Sequence, residues 1–110
     1  MSWLRMIEFF RQENALLKYR LSELVDSSED SLFLQTAEYF QNEFLIKDEA
    51  LKILIRQLQE YSDLIQSKVK ISPQLIDTHN KIRNDILMFG KDYASLSKEF
   101  NEKMVQTNSN

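Results

Sequence analysis

The longest helical repeat of the chain lies in residues 32–65, which read LFLQTAEYFQNEFLIKDEALKILIRQLQEYSDLI. Apolar side chains recur in this stretch at alternating intervals of four and three residues, beginning with Phe33, Ala37, Phe40 and Phe44. A mean repeat of about 3.5 residues is typical of a helix that packs against other helices in a left-handed coiled coil. No glycine or proline interrupts the stretch. The sequence therefore predicts one long helix at the centre of an all-helical protein.

Two polar breaks separate this helix from its neighbours along the chain. The first is residues 26–31, DSSEDS, where we expect Ser27 or Ser28 to cap the second helix because Ser and Asp favour helix caps. The second is Ser72 and Pro73, an N-cap residue followed by a proline that suits the first helical position. We predict helices at about 2–26, 29–70 and 73–105, in a single domain of residues 1–105 with a disordered tail at 106–110.

The first and third helices carry the same seven-residue repeat. Their seams are Trp3, Ile7, Phe10, Asn14, Leu17, Leu21 and Leu24 in helix 1, and Leu75, His79, Ile82, Ile86, Phe89, Tyr93, Leu96 and Phe100 in helix 3. Short connections favour antiparallel packing of consecutive helices. The predicted fold is therefore all-α, an antiparallel three-helix coiled-coil bundle. In length and layout it is similar to spectrin-type three-helix repeats, a likeness of architecture that implies no function.

The composition excludes several other classes of protein. Among 110 residues there are one Gly, one Pro and no Cys, which leaves too few turn-formers for a β-sandwich and no thiol for a disulfide, a catalytic thiolate or a zinc finger. The net charge of -3 argues against a nucleic-acid partner. No apolar run approaches the roughly 18 residues of a membrane span, and the first ten residues lack the features of a signal peptide. We therefore expect no membrane partner and a cytoplasmic location.

Helix 2 has a second apolar stripe on another face. Leu32, Tyr39, Ile46 and Ile53 recur every seven residues, and the series ends at Glu60. Because the stripe is about as long as helix 1, we expect helix 1 to fold back and cover it.

This arrangement also predicts the position of the only tryptophan. Trp3 falls level with Ile53 and Leu54, beside Gly90, whose missing side chain would make room for the indole. Beyond that level helices 2 and 3 are predicted to project as a two-helix hairpin.

The polar residues of the seams form no pattern typical of catalysis or metal binding. His79 is the only imidazole, and neither a second His nor a Glu-x-x-His motif accompanies it. Asn14 lies mid-seam, where it either faces a polar partner within the three-helix section or fixes a parallel pairing through helix 1. We expect no catalytic residue, no cofactor, no metal and no small-molecule substrate.

The projecting hairpin, at about residues 55–88, is the predicted interface. It carries apolar residues off the main seam that a monomer would leave exposed: Ile55, Leu64, Val69, Ile71, Ile76 and Leu87. Exposed apolar patches mark protein–protein interaction sites. We predict a non-catalytic interaction or scaffold module that self-associates through this hairpin or binds another helical protein there. The alternative is a helical chaperone or adaptor that sequesters an amphipathic segment of a client protein.

Overall fold

The computed structural model describes residues 2–67 and 71–106, which form a bundle of three helices. Helix α1 spans Trp3–Asp26, α2 spans Ser31–Gln66 and α3 spans Pro73–Phe100, and a π-helical segment follows at Asn101–Gln106. Helices α1 and α3 both pack against α2, in a rod of 59 × 21 × 18 Å. The predicted all-α, three-helix bundle is confirmed.

Helices α1 and α3 begin at serines whose hydroxyl groups cap the first turn. Oγ of Ser2 accepts a hydrogen bond from the backbone N–H of Arg5 at 3.2 Å. Oγ of Ser72 accepts one from the backbone N–H of Leu75 at 3.2 Å, and Pro73 is the first helical residue. The predicted start of helix 3 is confirmed.

Helix α2 begins at a different residue from the one expected. Its N-cap is Asp30, whose Oδ1 accepts hydrogen bonds from the backbone N–H groups of Leu32 at 3.0 Å and Phe33 at 3.4 Å. The prediction of a cap at Ser27 or Ser28 is wrong. One oxygen of the aspartate side chain reaches two orphan N–H groups here, and the negative charge also favours the positive end of the helix dipole.

The core follows the predicted seams in two clusters. The buried apolar residues are Ile7, Leu51, Leu54, Ile82, Ile86, Phe89 and Tyr93 toward the hairpin tip, and Leu21, Ala37, Phe40, Phe44, Leu96, Phe100 and Met104 toward the α1–α2 connection. In the second cluster the rings of Phe40 and Phe44 lie edge-on to Phe100, with centroids 5.4 and 5.3 Å away. Each fully buried side chain of this kind contributes roughly 1.5–3 kcal/mol, so these clusters hold the bundle together.

A polar layer of Asn14, Lys18 and Asp48 ties α1 to α2. Asn14 is fully buried, and its Nδ2 donates to the backbone carbonyl of Phe44 at 3.0 Å and to Oδ1 of Asp48 at 2.7 Å. Nζ of Lys18 donates to the other oxygen of the same carboxylate at 2.6 Å. Because a buried amide is costly without such partners, the layer specifies the register of α1. Of the two alternatives for Asn14, the structure contains the one with a polar partner inside the bundle.

Helix α1 reaches further along the hairpin than predicted. The indole of Trp3 packs against the rings of His79 and Tyr61, with centroids 4.8 and 6.1 Å away. Gly90 faces Phe10 instead, and a Cβ at Gly90 would lie 3.2 Å from Cζ of that ring. The predicted contact between Trp3 and Gly90 is therefore wrong. The prediction counted residues from the connecting turn alone, whereas the polar layer sets α1 about two turns closer to the hairpin tip.

The projecting part of the hairpin is correspondingly shorter. Helix α1 covers the hairpin as far as Tyr61 and His79, so the section without α1 is about residues 62–78 rather than 55–88. No side chain of residues 62–67 or 71–78 is fully buried. We call these two segments the distal tip.

The second apolar stripe of α2 is not covered by α1. Leu32, Tyr39, Ile46 and Ile53 have 73%, 47%, 56% and 54% of their surface exposed. The prediction that helix 1 covers them is wrong. Helix α1 packs against both α2 and α3, so it lies over the groove between them, against the face of α2 that carries Phe44.

Candidate protein-interaction surfaces

The exposed stripe on α2 forms a straight apolar line, which we call the outer row (Leu32, Tyr39, Ile46 and Ile53). At the rise of an α-helix its members lie about 10 Å apart, and the row is about 32 Å long. A spacing of seven residues keeps them on one face because it is close to two helical turns. A helix presents such a line to a neighbouring helix in a coiled coil.

Helix α3 carries carboxylates at the same spacing, which we call the acidic row (Asp85, Asp92 and Glu99). Nζ of Lys81 lies 2.8 Å from Oδ2 of Asp85, and Nζ of Lys103 lies 3.1 Å from Oε1 of Glu99. Asp92 forms no ion pair with any residue of the described segments. Both lysine side chains are more than half exposed, so these pairs contribute little net stability.

Tyr39 and Ile53 of the outer row and the residues of the acidic row line two open clefts between α2 and α3, which together we call the outer groove. An open cleft of about 400 Å³ is lined by Ile53 of α2 and by Met88 and Asp92 of α3, among others. A second open cleft of about 510 Å³ is lined by Tyr39 of α2 and Glu99 of α3, among others. Neither cleft includes a residue of α1. The wall on α2 thus includes apolar residues of the outer row. The carboxylates on α3 are balanced in charge by Lys47, Lys81 and Lys103, which line the same clefts.

The six residues of the predicted interface do not lie together on one exposed surface of the structure. Leu64, Ile71, Ile76 and Leu87 are exposed, with 44%, 81%, 50% and 58% of their surface accessible. The first three belong to the distal tip, whereas Leu87 lies about 21 Å along α3 from Pro73. Ile55 is half-buried and packs against the core. Val69 lies outside the described residues.

His79 lies at the boundary between the distal tip and the three-helix section. Its Nδ1 and the hydroxyl oxygen of Tyr61 are 3.0 Å apart, and its ring packs against Trp3. The imidazole therefore helps to hold the start of α1 against the hairpin.

Two groups at the centre of the bundle have unused hydrogen-bonding capacity. Oδ1 of Asn14 and the hydroxyl of Tyr93 are buried without a hydrogen-bond partner among the residues the structure describes. Burial raises the pKa of the Tyr93 phenol above its usual range, and the carboxylates of Glu13 and Asp48 raise it further. The phenol is therefore neutral at physiological pH, where a phenolate nucleophile or base is not formed.

In residues 2–67 and 71–106, no three His, Cys, Asp or Glu side chains cluster as a metal site would require. None of the helices described is both long and apolar enough to cross a bilayer.

The fold and these surfaces define the class of protein: an all-α, three-helix bundle with apolar helix faces exposed to solvent. Comparison of the chain with protein-family models, with curated proteins and with solved structures finds no match.

Sequence reasoning found the outer row but not the acidic row. The signal for the acidic row is the seven-residue spacing of Asp85, Asp92 and Glu99, which is visible in the sequence. Whether these carboxylates line a groove depends on which residues of α2 lie beside them. The sequence does not show this, because it does not show on which side of α2 helix α1 packs.

Proposed function

We propose that this chain is a non-catalytic helical interaction module that self-associates through its distal tip. The observation that carries the proposal is that large apolar side chains remain exposed at the distal tip, where no described side chain is fully buried. Ile71 has 81% of its surface exposed, and Leu64 and Ile76 have 44% and 50%. Exposed apolar residues of this kind favour association because burying them removes apolar surface from water.

The geometry of the distal tip supports an interface at that end of the rod. Two helices alone bury little surface, and α1 begins at Trp3, level with Tyr61 and His79, so it does not cover the distal tip. A second copy placed against the tip would supply the missing helices. The cytoplasmic location expected from the sequence remains part of the same proposal.

Light scattering across a concentration series tests self-association. For the intact chain we expect a mass above the 13.1 kDa of the monomer, rising with concentration. The double variant Leu64→Gln/Ile76→Gln should shift the mass toward the monomer. Leu16→Gln is the matched control, because Leu16 is an exposed leucine on α1, away from the distal tip. A monomeric intact chain, or a tip variant that keeps the mass of the intact chain, would contradict the proposal.

The second candidate is the adaptor that sequesters an amphipathic segment of a client. The specific observation in its favour is the outer groove, whose cleft near Ile53 also has Ala50 and Met88 in its lining. A module can use both surfaces, since the distal tip and the outer groove share no residue named above.

A further inference from the structure

We propose that a cleft between α1 and the C-terminal end of α3 binds a small amphiphilic anion, which carries a carboxylate or phosphate group on an apolar chain. The cleft has a volume of about 460 Å³, and we call it the cationic cleft. It shares no lining residue with the distal tip or the outer groove, so the inference goes beyond the proposed function. Its lining includes Leu17 and Arg20 of α1, Ser97, Lys98 and Phe100 of α3, and Asn101 of the π-helical segment.

The positive charge of the cationic cleft is not balanced by carboxylates in its lining. Its two ionisable side chains are those of Arg20 and Lys98. Neither forms an ion pair within the described part of the chain. Glu23, Glu99 and Glu102 are close to them along the chain but lie outside the lining. In each cleft of the outer groove, by contrast, the lysines equal the carboxylates in number. The cationic cleft therefore favours an anion, whereas the outer groove does not.

Two neutral polar side chains beside these cations also have free hydrogen-bonding capacity. The hydroxyl of Ser97 and the side-chain amide of Asn101 line the cleft and form no hydrogen bond within the described part of the chain. The guanidinium group of an arginine matches the geometry of a carboxylate or phosphate, and such charge-assisted hydrogen bonds are among the strongest in proteins. An anionic group in the cleft would thus meet Arg20 from one helix and Lys98 with these two side chains from the other.

The apolar part of the lining is continuous with the core. Leu17 and Val105 are partly buried and pack against the core cluster that contains Phe100, and all three line the cleft. An apolar chain that contacts these side chains would be removed from water, which favours binding. A volume of about 460 Å³ also lies within the range of about 300–1,000 Å³ that is typical of small-molecule sites. The site therefore suits an anion with an apolar chain better than a bare inorganic anion.

The π-helical segment is an independent feature at the same place. The chain changes from α-helix to π-helix at Asn101, and both Asn101 and Val105 of the π-helical segment line the cleft. Turns of π-helix occur frequently at functional sites. The irregular turn thus coincides with the cleft whose charge is not balanced.

NMR titration of the isotope-labelled, full-length chain tests the inference. The probes are decanoate and decyl phosphate, each kept below the concentration at which it forms micelles. Acetate is the control for the chain, and decyltrimethylammonium is the control for the charge. We expect at least one probe to bind about fivefold more tightly than either control, with an affinity that falls as salt is added. The largest shifts of amide signals are expected at residues 94–101. The tighter of the two probes identifies the preferred anionic group.

Variants of the protein locate the site. Arg20→Gln and Lys98→Gln should each weaken binding of the probe about fivefold or more, because each removes a charged donor. Arg5→Gln and Arg83→Gln are the matched controls. Each removes an exposed cation that has no ion pair in the described part of the chain, at about 22 Å from the tested position along the same helix. Both controls should leave binding unchanged, and circular dichroism would verify that all four variants are folded.

Three results would overturn the inference: no binding of either probe, equal binding of decyltrimethylammonium, or full binding to both Arg20→Gln and Lys98→Gln. Largest shifts at the distal tip would also contradict it, because the probe would then bind exposed apolar residues there. Binding to vesicles of anionic lipid without binding to the probes would identify a membrane surface as the ligand instead. If Arg20→Gln lowers the mass measured by light scattering, the cleft is occupied by a second copy, and the inference is wrong.

Discussion

Helix α2 has two apolar faces, of which one is buried in the bundle and the other is exposed to solvent. The inner face, with Phe40, Phe44 and Leu51, is buried between α1 and α3. The outer row repeats with the same regularity, yet about half or more of each of its side chains is exposed. The difference shows that apolar content alone does not decide which stripe a neighbouring helix covers. Helix α1 packs where it can contact both α2 and α3 and where Asn14 finds partners.

The largest expected effect comes from shortening a large apolar side chain to alanine on the inner face, and the same change on the outer row should have little effect. Phe44→Ala should lower the free energy of unfolding by about 3–5 kcal/mol, because it leaves a cavity in the core. Ile46→Ala, two residues away on the outer row, should change it by no more than about 0.5 kcal/mol. Urea unfolding monitored by circular dichroism measures both. A large loss for Ile46→Ala would mean that this residue is already buried, for example against a second copy.

The next largest effect is expected in the polar layer, which tests why α1 packs on the inner face of α2. Asn14→Ala should lower the free energy of unfolding by about 2–3 kcal/mol, since the carbonyl of Phe44 and the carboxylate of Asp48 each lose a donor. Gln12→Ala, on the exposed side of α1, should have an effect within about 0.5 kcal/mol. Urea unfolding again gives the values. If Asn14→Ala were as mild as Gln12→Ala, the polar layer would not be what positions α1.

The register of α1 predicts a size-dependent effect at Gly90. A Cβ would lie 3.2 Å from Cζ of Phe10, so an alanine requires only a small shift of that ring. Gly90→Ala should therefore be close to neutral, because the gain in helix propensity of about 1 kcal/mol offsets the crowding. Gly90→Leu should lower the free energy of unfolding by about 1–3 kcal/mol, since the larger side chain overpacks the site. Thermal unfolding of both variants checks this, and a stabilising leucine would show that Phe10 is not packed against Gly90.

The fold class, the three helices and the seams could be predicted from the sequence because each depends on local patterns. Periodicity identified the buried residues, and Ser72 with Pro73 marked the start of α3. The side on which α1 packs could not be predicted, since two stripes of α2 offered similar apolar surfaces. That choice depends on the geometry of Asn14 against Phe44 and Asp48, which has no signature in residue spacing. The position of Trp3 and the residues that line the outer groove depend on the same packing of α1, so they could not be predicted either.

The smallest expected effect concerns the unpartnered hydroxyl of Tyr93, on the inner side of α3. Tyr93→Phe removes a buried group that has no hydrogen-bond partner in the described part of the chain. We therefore expect the free energy of unfolding at pH 7 to stay the same or rise by up to about 1 kcal/mol. A loss of more than about 1 kcal/mol would show that the hydroxyl does have a partner.

The same variant should change the response of the protein to alkali. Burial raises the pKa of Tyr93 in the folded state, so above about pH 10 the unfolded chain loses this proton first. The folded state then binds more protons than the unfolded state, and the stability of the native protein falls as pH rises past that value. Phenylalanine has no proton to lose, so the stability difference between Tyr93→Phe and the native chain should widen from pH 9 to pH 11. Tyr19→Phe, an exposed tyrosine on α1, is the matched control and should show no such widening. Urea unfolding at each pH gives the difference. A constant value for Tyr93→Phe would mean that the phenol of Tyr93 is solvated rather than buried in the core.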